Sequence, residues 1–224
     1  MQLYPIFMDL SASRCLIVGA GAVGVRKLES LLRAGPLEIL VVDPSPAPAC
    51  LQLATHPCVV LAKRMFMSDD CNDRTLVFAA TGNREVNAAV AACCAERGIL
   101  CNIADNTKES SFIVPACIEH KNLSLAISTH GGSPALSRRI RKELELWLDD
   151  RYDGISELLT RLRPLVLALH RETGQNTDLF RSLVHSHLAE ALQRRDRNQC
   201  ETLLRALLPK ELHPNIMELL HDLV

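Results

Sequence analysis

The stretch CLIVGAGAVGVRK, residues 15–27, constrains the fold more than any other part of the chain. A short apolar run, Cys15–Val18, reads as a buried strand. Glycines then fall at 19, 21 and 24, and residues 22–34 place Val25, Leu28, Leu31 and Leu32 on one helical face until Gly35-Pro36 stops the pattern. Each glycine has its own expected task. Gly19 permits the tight turn out of the strand, Gly21 lets backbone approach a pyrophosphate, and Gly24 lets helix and strand pack closely. The amino end of the helix would offer free N–H donors to the phosphates. Alone the pattern is weak; its place between a strand and a helix strengthens it.

The same grammar recurs downstream. EILVVD (38–43) is an unbroken apolar run of the kind found in parallel sheets covered on both faces. CVVLA (58–62), TLVFAAT (75–81) and ILCNIAD (99–105) read as further strands, with a helix over 84–97 ending at Gly98 and a weakly helical crossover at 63–74. Strand and helix alternating at this spacing predict an α/β fold, a Rossmann-like parallel sheet. After Asp105 the pattern changes. SFIVPACIE and NLSLAIST flank HKN and predict a pair of strands, and from Ser133, an N-cap with Pro134 at the first helical position, the chain reads as helical. Helices are expected at 135–149, 154–170, 177–195, 198–208 and 213–223, with RETGQN and LPKELHP as breaks. The expected organisation is 1–112 for the dinucleotide domain, 113–149 for a small strand-containing region and 150–224 for a helical C-terminal domain.

Composition narrows the function classes. A net charge of −1 gives no support for a nucleic-acid partner. Nine cysteines, an odd number with no C-x-x-C spacing, several of them inside apolar runs, read as reduced thiols of a cytoplasmic protein. The start MQLYPIFMDLSASR lacks a basic segment before its apolar part and is a poor signal peptide. No stretch approaches the ~18 uninterrupted apolar residues of a membrane span.

Asp43 ends the second strand, 19 residues after Gly24. A carboxylate there accepts hydrogen bonds from ribose hydroxyls and repels a 2′-phosphate, which predicts NAD over NADP. The expected cofactor-binding set is Gly19, Gly21, Ala22, Val23, Gly24, Asp43, Pro44, Thr81, Gly82 and Asn83. The last three lie at the carboxyl edge of the fourth strand, where they also suit a helix cap. The Tyr/Lys pair of short-chain dehydrogenases is absent: the tyrosines are Tyr4 and Tyr152, with Met8 and Ser156 four residues on. No zinc ligand spacing occurs, so no metal ligands are expected. Asp105, ending the fifth strand, is either a general base beside the nicotinamide or a turn aspartate of DNTKES. Arg138, Arg139, Arg141 and Lys142 suit a solvated face paired with Glu143 and Glu145; helical spacing leaves one or two of them able to reach a polycarboxylate. His130 stands in the small-residue loop STHGGSP without a second ligand at fixed spacing.

Three stretches together resemble the precorrin-2 dehydrogenase family, the N-terminal module of siroheme synthases: YPIFMDLSASRCLIVGAGAVGVRK, CNIADNTKESSFIVPA and LSLAISTHGGSPALSRRIRKELE, within residues 3–146. The resemblance implies NAD-dependent oxidation of precorrin-2 to sirohydrochlorin on the route to siroheme or cobalamin. It implies a homodimer joined through the central region, 113–149, and the helical tail. It maps the family's aspartate onto Asp105 as proton acceptor and the small-residue segment onto Ser128, Thr129, Gly131 and Ser133, with Arg138 following, as substrate contacts. No methyltransferase-like segment follows, so the chain is not expected to make its own substrate. Three other readings stay open: a dehydrogenase that also inserts iron or cobalt, a chelatase that keeps the nucleotide turn as scaffold, and a non-enzymatic NAD-sensing regulatory domain.

Overall fold

The computed structural model describes residues 3–104, 106, 108–170 and 172–224. The chain divides into two compact units, Met1–Val114 and Pro115–Val224. The first is built on five parallel strands, β1 (Arg14–Val18), β2 (Glu38–Val42), β3 (Val59–Ala62), β4 (Leu76–Ala79) and β5 (Leu100–Ile103), in the order β3-β2-β1-β4-β5. Helices α1 (Ala22–Ala34) and α2 (Pro48–Leu53) follow β1 and β2, and α3 (Arg84–Arg97) joins β4 to β5. The unbroken apolar runs are explained by two cores. Ile17, Leu28, Ile39, Val41 and Phe78 fill one face of the sheet, and Leu16, Val18, Val77, Val90 and Cys94 the other. The chain leaves β1 toward β2 and β3 and returns to β4 on the other side of β1. That reversal opens a crevice beyond the carboxyl ends of β1 and β4, where open α/β sheets bind ligands.

The edge strand β5 is finished by side chains. Ser111 accepts the Cys101 N–H at 2.7 Å and Ser110 accepts the Ile103 N–H at 2.9 Å, while the Ser111 N–H returns to the Cys101 carbonyl at 2.9 Å. The serine pair of the SSF stretch therefore occupies donors that an edge strand would otherwise expose. Two details depart from the sequence reading. The proline-rich segment after Asp43 contains the short α2, with Pro48 in its first turn. The crossover at 63–74 is a single 3-10 turn, Ser68–Cys71, held by Asp70, whose carboxylate receives Arg64 at 2.6 and 2.8 Å and the Met67 N–H at 2.9 Å.

The second unit opens with the antiparallel pair β6 (Ala116–His120) and β7 (Leu123–Ile127). It continues through α4 (Pro134–Leu148), α5 (Asp153–Ala168), α6 (Thr173–His185), α7 (Leu188–Gln193), α8 (Arg197–Leu207), a 3-10 turn at Lys210–Asn215 and α9 (Ile216–Leu219). Leu158, Leu162 and Val166 of α5 recur at helical spacing and pack with Leu183, Leu188, Leu204 and Ile216. The single helix expected at 177–195 is two helices. The Ser186 hydroxyl donates to the Leu183 carbonyl at 2.7 Å and accepts the Leu188 N–H at 3.2 Å, ending one helix and starting the next. At the far end of the hairpin, His120 and Lys121 hold Asp153, the first residue of α5, at 2.7 and 2.9 Å.

Candidate functional site

The three glycines of the turn do different work, and the structure separates them. Gly19 adopts φ +98°, and a side chain there would meet the Ala80 carbonyl at 2.6 Å, so the turn and the segment after β4 run backbone to backbone. A Cβ on Gly24 would overlap the Gly19 carbonyl oxygen, so α1 can sit on its own turn only without one. Gly21 meets nothing within 4 Å and has an ordinary φ of −75°. The protein itself makes no demand for glycine at 21; the space beside it is open to a ligand.

That space lies at the amino end of α1. Gly21 is its N-cap and offers no side-chain acceptor, so the first-turn N–H groups of Ala22, Val23 and Gly24 lack a side-chain cap. The other helix starting at this edge differs. Asn83 caps α3 by accepting from Glu85 and Val86 at 2.8 and 3.3 Å. Thr81 is tied to buried Asn87: the two side-chain oxygens lie 2.7 Å apart, and Asn87 donates to the Thr81 carbonyl at 3.0 Å. Thr81, Gly82 and Asn83 thus form a braced rim, with the cap that the sequence left as one of two readings present. Asn87 was not singled out from the sequence; a polar residue four past an N-cap, on the inward face of a helix, is the signal that marks it.

Asp43 stands at the end of β2. Its carboxylate accepts the Ala20 N–H at 2.6 Å and the Ser45 N–H at 2.7 Å, and the Ala47 N–H donates to the Ala20 carbonyl at 3.1 Å. The glycine turn and the loop after β2, including exposed Pro44, are thereby laced together. Each carboxylate oxygen keeps acceptor capacity beyond these bonds. Open space at Gly21, uncapped donors on α1 and a half-buried carboxylate at the β2 end fit a dinucleotide with its pyrophosphate on the helix and its ribose at Asp43.

Beside this crevice, a cavity of about 510 Å³ lies along the flank of α1, lined by Arg26, Lys27 and Arg33 on one side and by Asn102, Ala104 and Val114 among others opposite. Asp105, the expected proton acceptor, lies outside the described residues.

In the second unit, Thr129, Gly131 and Ser133 come together at the start of α4. Ser133 caps the helix by accepting the Leu136 N–H at 3.2 Å, Thr129 accepts the Ser133 N–H at 3.0 Å, and Gly131 takes φ +83°. Ser128 is exposed and accepts the His130 N–H at 3.1 Å. Arg138 is exposed, and its neighbours pair as the sequence suggested: Arg139 with Glu143 at 2.7 Å and Arg141 with Glu145 at 3.5 Å. Among the described residues no group of three His, Cys, Asp or Glu is placed to hold a metal ion, and no helix is long and apolar enough to cross a membrane.

Comparison with known proteins agrees with this geometry. Residues 6–116 match a family described as NAD(P)-binding, and residues 121–145 match the sirohaem biosynthesis protein central family. The chain is 35% identical over 207 residues to a siroheme synthase of Methylococcus capsulatus and 32% identical over 208 residues to one of Thioalkalivibrio sulfidiphilus. Each alignment takes in 92% of this chain but only 44% and 42% of the relative. The solved structure of SirC, a precorrin-2 dehydrogenase, matches with a TM-score of 0.73 and 25% identity, over 89% of this chain and 100% of SirC. The chain belongs to the family of siroheme synthase N-terminal modules. It spans less than half the length of these curated relatives, and its α/β unit is an NAD-binding domain.

Proposed function

We propose that this family member is an NAD-dependent dehydrogenase that oxidises precorrin-2 to sirohydrochlorin. The observation that carries the reading is the open space at Gly21 and the uncapped end of α1, in a chain whose fold matches SirC over all of SirC's length. Bound NAD supplies the acceptor for two electrons and one hydrogen of the substrate. The chain's own residues do the rest. The N–H groups of Ala22, Val23 and Gly24 hold the pyrophosphate, Asp43 takes the ribose, and the Thr81–Asn83 rim borders the crevice. Asp105 takes the proton that leaves the substrate as its carbon–hydrogen bonds are broken, so that precorrin-2 and NAD⁺ yield sirohydrochlorin, NADH and a proton. Ser128, Thr129, Gly131, Ser133 and Arg138 are the proposed contacts to substrate from the second unit, in a homodimer working in the cytoplasm.

The test is direct. Protein mixed with NAD and precorrin-2 produces NADH and sirohydrochlorin absorbance in equal amounts. Folded protein that binds NAD but yields neither product from intact substrate refutes the reading and leaves an NAD-sensing module. Adding Fe²⁺ or Co²⁺ after the oxidation shows whether the same chain also inserts metal.

A further inference from the structure

The cavity along α1 is lined by three cations and, among the described residues, by no carboxylate. Val23, the adjacent pair Arg26 and Lys27, Ser30 and Arg33 recur at three- to four-residue spacing along one flank of the helix. Across from them are the side-chain amide of Asn102, the ends of Ile103 and Ala104, and the apolar Ile113 and Val114. Asn102 is buried, and its Nδ2 donates to the Phe112 carbonyl at 3.0 Å, which fixes the amide in the wall.

Two of the three, Arg26 and Lys27, are held only loosely by the rest of the protein. Arg26 makes a bond of 3.3 Å to the Ala22 carbonyl of its own helix. The Lys27 ammonium lies 5.2 Å from the centre of the Phe78 ring, a contact that holds it over an apolar floor without neutralising it. Among the described residues no carboxylate pairs with either. Lys27 is half-buried, and burial first, then the neighbouring Arg26 charge, pushes its pKa down. A partly desolvated cation beside a second cation is a costly arrangement that an anion in the cavity relieves.

We infer that this cavity is the subsite for carboxylate side chains of the tetrapyrrole, with Lys27 and Arg26 as the binding groups. The inference rests on the proposed dehydrogenase reading and adds to it where the polycarboxylate is gripped. Two features favour the substrate over the cofactor as the source of the anion. The cavity begins at Val23 and runs along α1 to Arg33, away from the helix end that suits the pyrophosphate, and Asp43, the expected ribose acceptor, follows β2, whereas Asn102 and Ala104 of this cavity belong to and follow β5.

The experiment uses Lys27→Gln, Lys27→Arg and Arg26→Gln in the full chain, with sirohydrochlorin binding followed by absorbance titration, NAD binding followed separately, and steady-state rates with precorrin-2. Lys27→Gln is expected to raise the sirohydrochlorin Kd and the precorrin-2 KM about tenfold while NAD affinity stays within about twofold. Lys27→Arg should recover most of the loss, and added salt should weaken the wild type more than Lys27→Gln. Arg26→Gln, at an exposed position where folding is not at stake, should show a smaller loss in the same direction. Unchanged tetrapyrrole affinity in both glutamine variants, with turnover intact, overturns the subsite and leaves the dehydrogenase reading standing. A selective loss of NAD affinity also overturns it and assigns these cations to the dinucleotide. Wild-type protein that neither binds sirohydrochlorin nor oxidises precorrin-2 removes both.

Discussion

The carboxylate of Asp43 accepts the backbone N–H of Ala20 at 2.6 Å, joining the end of β2 to the middle of the glycine turn. The group proposed to recognise the ribose is thus also a brace for the glycine turn, the proposed seat of the pyrophosphate. Asparagine keeps one acceptor oxygen for Ala20, but it loses the charge and turns an NH2 toward the Ser45 N–H in place of the second acceptor.

Asp43→Asn should therefore lower thermal stability modestly, through the lost Ser45 bond, while weakening NAD about tenfold, the worth of a hydrogen bond to a charged group. Repulsion of a 2′-phosphate disappears with the charge, so the preference for NAD over NADP should narrow. Calorimetric titration of both dinucleotides checks this. An unaltered preference would reduce Asp43 to a brace.

The glycines give a sharper contrast. Gly24→Ala forces a methyl group into the Gly19 carbonyl, and overpacking of this kind costs about 1–3 kcal/mol. Gly21→Ala meets open space at a φ of −75° that alanine adopts freely. We expect the first substitution to lower Tm and the second to preserve Tm but weaken NAD severalfold, by intruding on the proposed pyrophosphate site. Melting curves with and without NAD separate the two. Equal NAD affinity in Gly21→Ala and wild type would place the phosphates elsewhere.

Much of this architecture is legible in the residues, because the parallel sheet writes itself as unbroken apolar runs such as Ile39–Val42 and the helices end at glycines such as Gly35 and Gly98, both left-handed in the structure. What escaped was decided by short-range polar chemistry or by three-dimensional grouping. Ser186 breaks a helix whose apolar periodicity continues through it. Arg26 and Lys27 read as ordinary charges on an amphipathic helix, since nothing in their spacing shows that Asn102, 75 residues beyond Lys27, closes a cavity against them. The roles of Thr81 and Asn83 stayed divided between cap and cofactor rim because one asparagine side chain can end a helix and border a ligand at once.

The crossover before β4 predicts a pH dependence of stability. Asp70 is buried and its carboxyl is held below the usual range by the hydrogen bonds from Arg64, against the opposing effect of burial. A carboxylate whose pKa is lower folded than unfolded contributes stability that is fully present above its unfolded value, about 3.9, and is lost as pH falls through the folded value. Asp70→Asn should thus lower Tm at neutral pH by about 4 °C, and the gap to wild type should close below about pH 4. Melting curves across that range test it; a gap that stays constant into acid would mean the loss is one of shape and not of charge.

Asp105 offers the most decisive chemistry. Its proposed duty is to take a proton, which requires the ionised form, so wild-type turnover should fall on the acid side as the carboxylate is neutralised. Asp105→Asn and Asp105→Ala should each bind NAD as the wild type does, since the proposed dinucleotide contacts lie at Gly21 and Asp43. Turnover of precorrin-2 should drop by roughly 10²–10⁴-fold, the usual contribution of a positioned base. The residual rate of either variant should lose the acid limb of the profile, a change that a merely structural aspartate would not produce. Rates measured across pH with saturating NAD make the distinction: an acid limb that persists in Asp105→Asn would move the base to another residue while leaving the cofactor site intact.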